Sequence, residues 1–143
     1  MTPQTFLLPV FVQVALTFGL HFWMAYMRVG ALQRGEVREK DVTLRQPNWP
    51  KRVTQIANSY HSQLELPLLF YLLMLGALIT STADNLLLIL AWAFVLSRIV
   101  HAAIHTTVNT QPWRFLAYGA GMAILVAMWI VFAIRVLAGP AVA

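Results

Sequence analysis

The stretch Asn58-Ser-Tyr-His61-Ser-Gln-Leu-Glu65-Leu-Pro67-Leu-Leu-Phe-Tyr71 changes character midway, passing from polar side chains into the apolar run Leu66 to Ile79. Together with the preceding residues from Thr54 it reads as one membrane span whose inner half is polar. Working outward, three more apolar segments have the length of a span. At about 1.5 Å per residue, a run of about 20 residues crosses a hydrocarbon core of about 30 Å. The expected spans are residues 6–29, 54–79, 86–108 and 114–137, with a hydrophilic loop at 30–53. The fold class this predicts is all-α, an integral membrane four-helix bundle of left-handed, up-down form.

Composition agrees. Of the 143 residues, 59% are hydrophobic and 10% charged, and the mean hydropathy is +0.69, more apolar material than one soluble core of this length covers. The chain has no cysteine, so a disulfide frame, a thiolate metal site and a cysteine nucleophile are excluded, and any thiol chemistry must come from a bound small molecule. The formal net charge of +5 does not imply nucleic acid, because the basic residues gather in one loop beside membrane segments. Seven of the ten Lys and Arg lie between Arg28 and Arg52, and Arg114 lies on the same side. The positive-inside rule then puts loop 30–53 in the cytoplasm and both termini outside, in the periplasm for a bacterial inner-membrane protein. The N-terminal residues lack the basic region of a secretory signal, so the first helix is expected to remain in the mature protein.

Polar residues inside the spans carry the functional reading. On a helix at about 100° per residue, Gln55, Asn58, His61, Ser62 and Glu65 fall within about 120° of one another, and Arg98, His101, His105 and Asn109 within about 80°. Counting from the outer helix ends places Glu65, Arg98 and His101 at about 18 to 22 Å of depth, with His61 and His105 about a turn nearer the loop side. An unpaired charge at that depth costs several kcal/mol, so the two faces are expected to meet, Glu65 accepting from Arg98. Arg114 then stands at the rim of a polar cleft. A register-fixing ion pair alone is the bland alternative. Zinc or non-haem iron on His101, His105 and Glu65 is disfavoured by Arg98, and haem on His21 with His101 or His105 is a weak reading; no metal site is expected. The small-residue spacings Ala117/Gly121 and Gly119/Ala123 allow close helix contact.

These residues resemble the MAPEG family, the membrane-associated proteins in eicosanoid and glutathione metabolism. The resemblance rests on the four-span layout, the long first loop, Glu65 followed by Pro67 and Phe70, the signature Arg98-Ile-Val-His101-Ala-Ala-Ile-His105, and Pro112-Trp-Arg114. The string Gln63 to Tyr71 is most similar to the "QFELPVLFY" of the bacterial branch. The resemblance implies a homotrimer with glutathione as co-substrate, bound between subunits on the cytoplasmic side. Carried over by position, Glu65, Arg98 and His101 line the site, and Arg114 stabilises the thiolate as the catalytic residue. Ser62 stands where the family usually has asparagine, Asn58 and His61 where glutathione-holding arginines are common, and His105 where a tyrosine is usual. The function implied is a glutathione-dependent transferase or peroxidase acting on a hydrophobic small-molecule substrate, a lipophilic electrophile or a lipid hydroperoxide, with membrane lipids as neighbours. The alternative is a non-catalytic scaffold or lipid-binding protein of the same fold. Arg114 at a helix start suits the enzyme reading, because a cation and a helix N-terminus both lower a thiol's pKa from about 8.5.

Overall fold

The structure is a computed structural model describing residues 2–138. All regular structure among these residues is helical: α1 (Pro3–Gln33), a 3₁₀ turn (Glu39–Asp41), α2 (Lys51–Ser62), α3 (Leu66–Ile79), α4 (Asn85–Thr106) and α5 (Gln111–Ala138). Taking α2 and α3 as one segment, Lys51–Ile79, four stretches are long and apolar enough to cross a membrane. The chain is an integral membrane protein.

The ends of the helices follow from local chemistry. Pro3 occupies the first turn of α1, where its missing N–H leaves no bond unmade, and Thr2 accepts from the Thr5 amide at 3.3 Å. Gly35, at φ +71°, closes α1 with its amide on Leu32 and that of Glu36 on Ala31, a turn that needs the left-handed region glycine enters freely. Asp84 caps α4 by accepting from the Leu87 amide at 2.9 Å, and its other oxygen takes Arg135 of α5 at 2.6 Å. One carboxylate thus fastens two helices at the end of the bundle remote from the long loop.

The second span is interrupted, which the continuous helical projection of its polar face does not anticipate. The amides of Gln63 and Leu64 turn back to Tyr60 and His61, and Glu65 sits at φ −95°, ψ −96° before α3 begins. Pro67 is the cause: it has no N–H for the carbonyl four residues back, Gln63, and its ring crowds that carbonyl. The break leaves polar groups that a long-range bond serves. Gln63, 1% exposed, accepts from the side-chain amide of Gln13 of α1 at 3.1 Å.

Packing is densest away from the loop, where Phe6, Phe70, Leu73, Met74, Leu87, Phe94 and Met128 are fully buried and the Phe70 and Phe94 rings stack at 4.7 Å. A smaller cluster of Ala31, Val37 and Val53, backed by Met27, Val42 and Trp49, holds the loop against α1 and α2. The most extensive helix pairing is α4 with α5. Gly121 makes it possible: a Cβ there would lie 2.7 Å from Ser97 Oγ of α4. Gly119 has no such neighbour within the chain: its Cβ position is open to 4 Å among the described residues. Large side chains such as Phe11, Phe22, Leu68, Ile89 and Phe115 stand 62–74% exposed.

Candidate functional site

A cavity of about 380 Å³ opens between α2, α4 and α5 on the loop-side half of the bundle, within the range of about 300 to 1,000 Å³ usual for small-molecule sites. Asn58, His61 and Ser62 reach it from the last turns of α2, and Glu65 from the break after it. His101 and His105 come from α4. Gln111, Arg114, Phe115 and Tyr118 come from the first two turns of α5, a spacing of three and four that puts them on one helical face.

Seven of the eight residues singled out in the sequence line this cavity. The eighth, Arg98, lies behind its wall, fully buried. It donates to Ser62 Oγ at 2.9 Å and bonds His101 Nδ1 at 3.1 Å, while its carbon Cζ stands 5.4 Å from the centre of the Tyr118 ring. The expected ion pair with Glu65 is absent among the described residues. The break at residues 63–65 is the physical reason: Ser62, closing α2, takes the place opposite Arg98, and Glu65 turns into the cavity. There its carboxylate accepts from the Tyr118 hydroxyl at 3.4 Å. Two of Arg98's donors, Nε and Nη1, have no partner among the described residues.

Gln55, projected onto the same face as Asn58 and Glu65, has a different task. Its amide donates to the carbonyl of His105 at 2.8 Å and of Thr107 at 3.2 Å, and Arg52 donates to the carbonyl of Thr106. The free carbonyls at the end of α4 are thereby satisfied from α2, which fixes the end of α4 that carries His105. Asn109, at φ +48°, turns the chain into α5 and accepts from Arg114 Nη1 at 2.8 Å. His21 is apart from this site, with its ring 4.9 Å from that of Tyr60. No group of three His, Asp or Glu side chains is arranged to hold a metal ion among the described residues.

Tyr118 was the main residue missed. Its ring lies 5.7 Å from His101, and it is one α-helical turn beyond Arg114, so the signal was present in the four-residue spacing. Electrostatically, two guanidinium groups attend a cavity that holds a single carboxylate. Arg98's charge is met by a hydroxyl, an imidazole nitrogen and a ring face, with no acid in contact. Such a site favours an anion.

The sequence profile of the MAPEG family matches residues 6–134. The chain belongs to the MAPEG family. Its members are membrane proteins connected with glutathione and eicosanoid metabolism; they generally use glutathione as a substrate and are generally trimeric. No curated protein and no solved structure matches the chain. For this MAPEG protein the four spanning segments agree with the family's four-helix bundle.

Proposed function

We propose that this protein binds glutathione in the cavity between α2, α4 and α5 and uses its thiolate against lipophilic compounds from the bilayer. The observation that carries the reading is the charge imbalance: Arg98 buried without an acid, Arg114 on the lining, and Glu65 the one carboxylate facing them. A thiol brought beside Arg114, near the start of α5, meets both a cation and the positive end of a helix, and both favour its ionised form. Glu65 suits the ligand's ammonium group, and Asn58, His61, Ser62, His101 and His105 supply hydrogen-bonding partners.

In a conjugation, the thiolate sulfur forms a bond to an electrophilic carbon while a leaving group departs, or while an epoxide oxygen opens and takes a proton. With a lipid hydroperoxide, sulfur attacks the outer oxygen, the O–O bond breaks and the alkoxide is protonated. A second glutathione then displaces water from the sulfenic acid to give the disulfide. The Tyr118 hydroxyl, on the cavity wall, is a neutral proton donor available to such an oxygen.

The assembly that goes with this reading is a homotrimer whose neighbouring subunits wall the cavity, with loop 30–53 in the cytoplasm of a bacterium and both termini outside the inner membrane. One observation favours the non-catalytic alternative: Arg114 is the one Lys or Arg lining the cavity among the described residues, whereas glutathione carries two carboxylates. The two readings separate on titrating detergent-purified protein with glutathione by calorimetry and assaying conjugation of a hydrophobic electrophile. Saturable binding together with product formation proportional to protein supports the enzyme. No heat and no product removes it.

A further inference from the structure

A second cavity, of about 290 Å³, lies on the loop side between the end of α1, the long loop and α2. Its lining includes Arg28, Val42, Arg45, Trp49, Asn58 and His61, and no acidic side chain. The loop's own acids are engaged elsewhere or turned away: Glu36 pairs with Arg34 at 2.6 Å, Asp41 with Arg38 at 2.7 Å, and Glu39 is exposed on its 3₁₀ turn. Neither Arg28 nor Arg45 forms an ion pair among the described residues. Arg28 lies over the Trp49 ring at 5.1 Å, and its Nε is buried with no hydrogen-bond partner. Arg45 is held at φ +61°, a backbone state that side chains larger than glycine adopt at a cost of about 1 kcal/mol or more and that marks a functional constraint when the surroundings enforce it. The enforcing bonds are present: the Leu44 amide donates to Gln46 Oε1 at 3.0 Å and Asn48 donates to the Asp41 carbonyl at 2.7 Å.

We infer that this cavity binds the phosphate of an anionic lipid headgroup. A phosphate accepts from the terminal nitrogens of the Arg28 and Arg45 guanidinium groups, both on the lining, which supply the fork-shaped donors it prefers. The membrane is the source because the cavity mouth is flanked by surface that itself needs lipid. Val29 and Leu44, next in sequence to the lining residues Arg28 and Arg45, are 52% and 82% exposed. Trp49 adds an indole, a ring that settles at the headgroup level. The loop's positive charge is thus a built site at its inner edge and a solvated surface at Arg34, Arg38 and Lys40. Because His61 and Asn58 line both cavities, a headgroup seated here also abuts the wall of the larger site.

Native mass spectrometry of the full chain, released from mixed phosphatidylglycerol and phosphatidylcholine nanodiscs, tests this. The wild type retains phosphatidylglycerol in preference to phosphatidylcholine. Each juxtamembrane arginine contributes about a fivefold effect, so Arg28→Gln/Arg45→Gln binds phosphatidylglycerol about 25-fold more weakly. Arg38→Gln/Lys40→Gln, which removes the same number of charges from the same end of the bundle, keeps the preference. Should the first double variant fail to fold, the exposed Arg45→Gln alone shows the fivefold loss. Equal losses in both double variants, or none in the first, overturn the proposal. So does inorganic phosphate that occupies the site as well as the lipid, or glutathione that displaces it.

Discussion

Replacing Gly121 with alanine tests the α4–α5 contact on which the position of Arg98 depends. The new Cβ lies 2.7 Å from Ser97 Oγ, about 0.7 Å short of the 3.4 Å at which ordinary contact begins. Ser97 Oγ is itself committed to the Phe94 carbonyl at 2.6 Å, so relief requires breaking that bond or parting the helices. Overpacking of this kind costs about 1–3 kcal/mol, and the better helix propensity of alanine returns about 0.5–1 kcal/mol. The net expectation for Gly121→Ala is a loss of about 1 kcal/mol. Adding Ser97→Ala deletes the clashing atom, and the next neighbours, Arg98 Cδ at 3.6 Å and Nη1 at 3.8 Å, are at ordinary distance. The double variant is therefore at least as stable as the wild type, with a coupling energy of about 1–2 kcal/mol from a double-mutant cycle measured by denaturant unfolding in detergent. Additive effects of the two substitutions would refute the close approach and with it the seating of Arg98 against Ser62 and His101.

Other expectations are simpler. Gln13→Leu strands the buried oxygen of Gln63 and costs about 1–3 kcal/mol in the same unfolding assay, whereas replacing both glutamines by leucine recovers part of the loss. At Asp84, burial alone would raise the carboxyl's pKa, but the Leu87 amide and the Arg135 guanidinium outweigh it and hold the group below its usual range. An acid whose pKa is lower folded than unfolded stabilises the fold above its unfolded value of about 4 and loses that contribution as pH falls further through the folded value. The melting temperature of wild type should thus fall more steeply than that of Asp84→Asn on acidification below about pH 4. Gln55→Leu removes the donor that holds the His105 and Thr107 carbonyls, and hydrogen exchange should rise by about fivefold to tenfold at the amides around Asn109, for a bond worth about 1 kcal/mol. Tyr118→Phe, which keeps the ring over Arg98 and deletes the hydroxyl on Glu65, should weaken glutathione binding severalfold in calorimetry while leaving stability within about 0.5 kcal/mol.

The four spanning segments were legible because length and apolarity in a membrane are nearly a sufficient description: Leu66 to Ile79 and Leu86 to Val95 have few other places to go. Where side chains meet was legible only in part. Gly121 meets α4 closely while Gly119, two residues away, has no atom of this chain within 4 Å of its Cβ position, because composition does not say which face of α5 turns toward α4. The polar residues were found, but their pairing was not. Projecting residues 55 to 65 on one continuous helix takes no account of Pro67, and so gives Glu65 to Arg98. The break instead offers Ser62 to Arg98, and Gln55 ties down the end of α4. Gln13 and Gln63, fifty residues apart, meet only through the tertiary packing of α1 on the break, which no spacing within one segment reports.

The central claim is that the cavity between α2, α4 and α5 holds glutathione as its thiolate through Arg114. Its most direct test is the ultraviolet thiolate band that develops when detergent-purified protein is titrated with glutathione at neutral pH, compared between wild type and Arg114→Ala. A saturable band is expected in the wild type, and in the variant a band lost at glutathione concentrations where calorimetry still records binding. A wild type without the band, or a variant with an undiminished one, would contradict it.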